Sequence, residues 1–343
     1  MTRTHSGVLA AVAAAAIGAV ALHAQSPASQ GFSFHTAVQL TGVAVTVTDA
    51  NGRFVPNLRP DDFIVSEDGQ PQPIAQFDAT RVPVSLGIAL DTSGSMLGDK
   101  IQAAEDALNR FLFKLLGPDD EVFLYRFDSH PELVQGWTTD RASVSRALGS
   151  VRPNGGTAIY DTVAEALPLA KSGTRKKKAL MILSDGNDTS SHMHLEQVHE
   201  LIRDSEVLVY AIGIGASDAS GSSKSASSGG YASGNHPVPA PFPGKASSMG
   251  STSTPRPHPV ANSDGVNPSA LRALTDDSGG RTEVIVSSRD LDPATAGIAA
   301  ELSQQYFIGY NSPAPKDGKW HTIGVQLRRG NYTVRARKGF IAS

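Results

Sequence analysis

The middle of the chain alternates between short apolar runs and segments in which apolar residues recur every three or four positions. Apolar runs at 82–90, 122–127, 179–183 and 207–214 are typical of strands buried on both faces of a parallel sheet, and shorter strands are expected at 133–137 and 281–286. Helical spacing is found at 100–116, 141–151, 158–170, 195–204, 268–277 and 291–305. Strands separated by helices of this length predict an α/β fold with a doubly wound, mainly parallel sheet.

The two ends of the chain have a different pattern, in which apolar and polar residues alternate between turn signals. Strands are expected near the start at 40–47, 61–69 and 74–77, and near the end at 306–310, 322–327 and 332–336. We therefore expect an N-terminal β segment at 36–80 and a C-terminal β segment at 306–343. Their strands are expected to pair into one small β-sheet domain beside an α/β domain at 81–305.

One stretch inside the α/β domain does not fit either pattern. Residues 216–265 are mostly Ser, Gly, Pro and Ala, a composition that buries too little apolar surface to offset the entropy cost of ordering the chain. We predict a disordered insertion between a strand and the following helix.

The first residues have the features of a targeting segment. A short positive start at Arg3 precedes an apolar, Ala-rich run at 8–22, and small residues follow at positions suited to cleavage. This pattern predicts a signal peptide at 1–24, a flexible lead at 25–35, and an exported protein located in a periplasm or secreted. The alternative is an uncleaved membrane anchor, but the run is shorter than the roughly 20 apolar residues that a span needs.

Composition and charge exclude several classes of function. The net charge is −3 and charged residues make up 18% of the chain, so no basic surface indicates nucleic-acid binding. The chain has no cysteine, which excludes a disulfide scaffold, a lipid on an N-terminal Cys and a thiolate metal site.

Polar side chains follow the first buried strand at alternate positions. Asp91, Ser93 and Ser95 come directly after the run at 82–90, where open α/β sheets place their ligands. A carboxylate and two hydroxyls are hard oxygen donors of the kind that suits Mg²⁺ or Mn²⁺, whereas Ca²⁺ prefers more carboxylate or carbonyl donors. The alternative is a purely structural role, in which Asp91 or Ser95 caps the next helix.

Two further segments extend this candidate site. Thr157 follows Asn154-Gly-Gly at the start of a predicted helix, and Asp185 follows the strand at 179–183. Taken alone, Thr157 is typical of a helix N-cap and Asp185 of a turn residue before Gly186. Taken together and in order, these residues predict a metal site.

The set formed by Asp91, Ser93, Ser95, Thr157 and Asp185 resembles the metal-ion-dependent adhesion site of the von Willebrand factor type A domain. In that family an Asp-x-Ser-x-Ser loop follows the first strand, and a Thr and an Asp come from two further loops. The resemblance implies a Rossmann-like type A fold over about 82–305. It also implies that Mg²⁺ or Mn²⁺ is bound by these five residues, and that a partner's Asp or Glu completes the coordination.

The flanking segments are similar to those of a bacterial group called VWFA-related domain proteins. The similarity lies in Val45–Gly52, in Asp62-Phe63 through Gly69, and in closing segments at 306–310 and 335–340. The implied function is non-enzymatic binding of a protein or matrix ligand through an exposed acidic group. An assembly or scaffolding subunit with a structural metal, and a metal-assisted hydrolase, remain the alternatives.

Other candidate residues carry weaker signals. His192, His194 and His199 lack the spacing of convergent metal ligands on a helix. Asp128-Ser129-His130 has no nucleophile elbow to complete a catalytic triad. We expect these residues to have structural roles.

Overall fold

The computed structural model describes residues 39–215 and 266–342. The predicted signal peptide at 1–24, the lead at 25–35 and the insertion at 216–265 lie outside the described residues, so these assignments remain predictions.

The strands are short and are distributed along the whole described chain. In order they are β1 (Gln39–Thr48), β2 (Phe63–Glu67), β3 (Gln70–Gln72), β4 (Ile74–Asp78), β5 (Val84–Asp91), β6 (Glu121–Phe127), β7 (Pro131–Thr138), β8 (Lys177–Ser184), β9 (Leu208–Ile214), β10 (Thr282–Ile285), β11 (Tyr306–Ser312), β12 (Trp320–Leu327), β13 (Thr333–Arg335) and β14 (Gly339–Ile341).

The helices lie between the strands of the middle region. They are α1 (Asp99–Arg110), α2 (Arg141–Leu148), α3 (Ile159–Lys171), α4 (Leu195–Ser205), α5 (Pro268–Thr275) and α6 (Leu291–Gln304). The predicted helix at 100–116 is α1 followed by a π-helical turn at Phe111–Leu115, so the helical spacing continued beyond the regular α-helix.

The central sheet has six strands in the order β10-β9-β8-β5-β6-β7. Adjacent strands in this sheet are parallel, except that β7 runs antiparallel to β6 at one edge. Every residue of β5 and β9 is buried, which explains why these strands read as unbroken apolar runs. The predicted α/β class with a mainly parallel, doubly wound sheet is confirmed.

The two faces of this sheet carry different helices, because successive side chains of a strand point to opposite faces. Leu86, Ile88 and Leu90 of β5 pack in one core with α1, α2 and α6. Ala89 belongs to a second core, formed with α3, α4 and α5. The sheet is therefore covered on both sides, and only its edges and strand ends are left for ligands.

The terminal strands form two antiparallel sheets with the orders β13-β1-β11-β4 and β14-β12-β2-β3. Strands from the two ends of the chain pair directly, with Val45 opposite Tyr306 and Val65 opposite Val325. Apolar residues of both sheets share one core, among them Phe63. The predicted pairing of strands from the two ends of the chain is thus confirmed, with two sheets where we expected one. The sequence pattern did not reveal β3 and β14.

A buried carboxylate joins the terminal sheets to the α/β part. Glu301 of α6 accepts hydrogen bonds from Tyr210 Oη of β9 at 3.0 Å and from Thr46 Oγ1 of β1 at 3.2 Å. It also forms ion pairs with Arg281 and with Arg335 of β13. The two ion pairs and the two hydrogen bonds together offset the cost of burying this charge.

Among the described residues, none of the helices has the length and apolar character required to traverse a bilayer.

Candidate metal centre

The first loop of the candidate site leaves the carboxyl end of β5. Asp91 is the last residue of this strand and is fully buried. Its Oδ1 accepts a hydrogen bond from the Ser93 amide at 2.8 Å, which turns the chain sharply after the strand. The turn brings the Ser93 and Ser95 hydroxyl oxygens to 3.0 Å from each other.

The helix-capping alternative for this loop does not hold. The N-cap of α1 is Gly98, and no side chain caps that helix. The oxygens of Asp91 and Ser95 are therefore not used as caps and point to other polar groups.

The second loop lies before α3 and is attached to the first. The Gly94 amide donates to the Gly155 carbonyl at 3.0 Å, and the Asn154 amide donates to the Thr92 carbonyl at 2.7 Å. Gly155 has a φ of +72°, a conformation that a residue with a side chain rarely adopts. These bonds fix the position of Thr157, two residues further along.

Thr157 is not the N-cap of α3, contrary to one of the sequence interpretations. The cap position is Ala158, without a side-chain cap bond. The Thr157 backbone is held instead by the third loop, since its amide donates to Thr189 Oγ1 at 3.0 Å and its carbonyl accepts from the Thr189 amide at 2.8 Å. Thr157 is buried, and its hydroxyl does not cap the helix.

The third loop leaves the carboxyl end of β8, the strand beside β5. Ser95 Oγ donates to Asp185 Oδ1 at 2.7 Å, which links this loop to the first. A methyl group on Gly186 would lie 3.5 Å from Thr157 Oγ1 and 4.0 Å from Ser95 Oγ, so side-chain oxygens from all three loops face one small space. The structure therefore brings the five predicted residues together.

The electrostatics of this space favour a cation. Burial raises the pKa of Asp91 to about 6, and the nearby carboxylate of Asp185 adds to the rise, while hydrogen bonds from Ser184 and Ser93 oppose it. Burial of the Asp91 carboxyl beside a second carboxylate therefore favours a cation in this space.

These residues fit a divalent cation of the Mg²⁺ type. The donor set consists of two carboxylates and three hydroxyls, all of them hard oxygen ligands. Within residues 39–215 and 266–342, no group of three or more His, Cys, Asp or Glu side chains could hold a metal ion. This loop cluster relies on neutral hydroxyls, which suits an ion that retains several waters better than it suits Ca²⁺.

Several residues that hold these ligands were missed by the sequence interpretation. Ser184 Oγ donates to Asp91 Oδ2 at 2.5 Å, and Ser129 Oγ accepts from the Gly156 amide at 2.9 Å. The ammonium of Lys100 contacts Asp185 Oδ2. Ser184 is adjacent to Asp185 in the chain, but nothing in the local sequence indicates the long-range partners of Ser129 and Lys100.

The weaker sequence candidates have structural roles, as expected. His192 Nδ1 lies 3.0 Å from Asp161, and His199 Nε2 lies 2.9 Å from Asp277, so these two histidines do not converge. His194 occupies the N-cap position of α4. Asp128 accepts a hydrogen bond from the His130 amide in a turn, where no triad is formed.

Residues 86–187 match the family model described as the von Willebrand factor type A domain. Inter-alpha-trypsin inhibitor heavy chain H2 of Mus musculus is 23% identical in an alignment 149 residues long that covers 39% of this chain and 16% of that protein. The chain therefore matches only a small part of the length of that relative.

Two solved structures resemble the chain at low sequence identity. A von Willebrand factor type A protein from Catenulispora acidiphila has a TM-score of 0.48 and 14% identity, covering 90% of this chain and 76% of its own. Proximal thread matrix protein 1 from the mussel byssus, described with a zinc-occupied metal-ion-dependent adhesion site, has a TM-score of 0.47 and 16% identity, covering 69% of this chain and 49% of its own. The resemblance predicted from the sequence is confirmed by the family match: residues 86–187 of this chain form a von Willebrand factor type A domain.

Proposed function

We propose that this protein is an exported, non-enzymatic binding protein that captures an acidic group of a protein or matrix ligand through a Mg²⁺-type ion. The observation that carries the proposal is the convergence of Ser95, Thr157 and Asp185 from three separate loops on one space. Asp91 and Ser93 complete the set of proposed metal ligands.

The charge and position of the site support capture of a carboxylate. A bound Mg²⁺ would supply a positive centre with water ligands that a carboxylate can replace. The protein residues orient the site: Asp91 is fixed by Ser93 and Ser184, and Asp185 by Ser95 and Lys100. Ser95 is exposed at the surface, so a large partner can reach this end of the sheet.

Non-enzymatic binding is supported by the side chains around the proposed ion. The carboxylates of Asp91 and Asp185 are both proposed ligands, and each is already hydrogen-bonded to a serine. Neither is free to serve as the general base that a metal-assisted hydrolase needs. Export is supported by the sequence pattern of the first 24 residues.

Metal binding is tested by titrating Mg²⁺ into the purified protein in a calorimeter. Thr157→Ala removes one proposed ligand, and we expect it to weaken Mg²⁺ binding by at least about tenfold. Thr157→Ser restores a hydroxyl and should recover most of the affinity. Thr333→Ala, on the exposed side of β13, is the matched control and should bind as the unaltered protein does. Equal affinity in all four proteins would reject this site.

Ligand capture is tested with immobilised peptides that differ only by Glu against Gln at one position. We expect binding to the Glu peptides in Mg²⁺, loss of binding in EDTA, and loss in Thr157→Ala. Mg²⁺ binding without any Glu-dependent capture would favour the scaffolding subunit with a structural metal. Mg²⁺-dependent turnover of a phosphate or carboxylate ester would favour the hydrolase.

A further inference from the structure

A lysine is built into the candidate metal centre. Lys100 lies in the first turn of α1, and its ammonium contacts Asp185 Oδ2, while Asp185 Oδ1 accepts the hydrogen bond from Ser95. The two oxygens of this carboxylate are thus divided between the cation and the loop that carries the other ligands. The Asp185 side chain is fully buried, whereas the Lys100 side chain is 39% exposed.

The position of Lys100 is unusual for a cation. The first turn of a helix carries a partial positive charge, which favours acidic residues such as the neighbouring Asp99 and disfavours lysine. The contact with Asp185 compensates for this placement. Lys100 therefore contributes its charge to the metal centre and not to the helix.

We propose that Lys100 sets the charge of this centre, so that it weakens binding of the divalent ion and strengthens binding of the acidic ligand. This inference rests on the proposed function. Counted by formal charge, Asp91, Asp185 and Lys100 give the centre a net charge of about −1, which a divalent ion would change to about +1. One carboxylate of a ligand then makes it neutral.

Removal of the lysine charge shifts the affinity for the metal and the affinity for the acidic ligand in opposite directions. Without it, the centre has a charge of about −2 before the metal binds and is about neutral afterwards, so it attracts the metal more strongly and the carboxylate less strongly. A residue that only kept Asp185 in place would behave differently, because its loss would weaken metal binding and ligand binding together.

The test measures the two affinities separately in the full chain. Lys100→Met and Lys100→Gln remove the charge, and Lys100→Arg keeps it. Lys114→Met is the control, because Lys114 is exposed in the π-helical turn after α1 and its loss changes the net charge of the protein equally. Calorimetry gives the Mg²⁺ affinity. Acetate affinity is measured on the Mn²⁺-loaded protein by water-proton relaxation, which changes as acetate replaces a metal-bound water.

We expect Lys100→Met and Lys100→Gln to tighten Mg²⁺ binding by about tenfold and to weaken acetate binding by a similar factor. Lys100→Arg and Lys114→Met should stay near the values of the unaltered protein. A fall in both affinities, or no change in either, while the unaltered protein binds Mg²⁺, would overturn this inference and leave the proposed function intact. Absence of Mg²⁺ binding in the unaltered protein would overturn both.

Discussion

Replacing Asp91 by Asn separates the cost of the buried charge from the benefit of the metal. In the folded protein burial raises the pKa of this carboxyl from 3.8 to about 6. Since each tenfold change in an ionisation constant corresponds to about 1.4 kcal/mol, keeping Asp91 ionised at neutral pH costs the metal-free protein about 3 kcal/mol. Asn removes this charge at nearly constant volume.

The hydrogen bonds around Asp91 reduce the net gain. Asn can still accept from the Ser93 amide through its oxygen, and Ser184 can accept from the new amide group, but a neutral group forms weaker bonds than a carboxylate does. We therefore expect Asp91→Asn to stabilise the metal-free protein by about 1–2 kcal/mol, less than the full charge cost.

Urea unfolding at neutral pH, with EDTA and then with excess Mg²⁺, measures both effects. In EDTA the free energy of unfolding should be higher for Asp91→Asn than for the unaltered protein. In Mg²⁺ the unaltered protein should gain stability by mass action, and the variant should gain little. Lower stability of Asp91→Asn in EDTA would show that the buried charge carries no such cost, and equal stabilisation of both proteins by Mg²⁺ would show that Asp91 is not a ligand.

Further predictions concern pH, the second loop and the junction between the two parts of the fold. The pKa of Asp91 is higher in the folded than in the unfolded state, so the protonated carboxyl contributes to the stability of the metal-free protein. This contribution is fully present below about pH 4 and is lost as the pH rises through about 6. Urea unfolding in EDTA across this window should show the loss in the unaltered protein and not in Asp91→Asn. Gly155→Ala introduces a side chain at positive φ with its Cβ 2.8 Å from Ser129 Oγ, and should cost about 1–2 kcal/mol in a thermal melt and weaken Mg²⁺ binding in calorimetry. Gly52→Ala, at a φ of +75° with nothing within 4 Å of the new Cβ, should leave Mg²⁺ binding unchanged. Glu301→Ala leaves Arg335 without its carboxylate, while Arg281 keeps its ion pair with Glu283; we expect it to lower the free energy of unfolding by about 3 kcal/mol in urea, without changing Mg²⁺ affinity.

The α/β part of the fold could be predicted because its strands are buried on both faces. The residues of β5 have no polar alternation, and a run of this kind has few alternatives to a central parallel strand. The ends of the helices and strands were harder to predict. The helix α1 ends at Arg110 because the chain continues in a π-helical turn, and helical periodicity alone does not distinguish an α-helix from a π-helix. The division of the terminal strands into two sheets depends on long-range pairing, which local patterns do not specify.

The candidate site was only partly predictable for the same reason. Asp91, Ser93 and Ser95 stand together in the chain, and the resemblance to a known family supplied Thr157 and Asp185. The partners that orient them come from distant positions: Lys100 is 85 residues from Asp185, and Ser184 is 93 residues from Asp91. A lone lysine at the start of a helix gives no local indication of such a contact.

Oxygens from three loops are proposed to bind one divalent ion. Crystals of the protein grown with Mn²⁺ test this proposal directly through the anomalous signal of the metal. We expect a single strong peak within bonding distance of oxygens from the loops of Ser95, Thr157 and Asp185, and a weaker peak in crystals of Thr157→Ala grown at a limiting Mn²⁺ concentration. If crystals grown with Mn²⁺ in excess show these loops fully ordered and no anomalous peak between them, the three loops do not form a metal site.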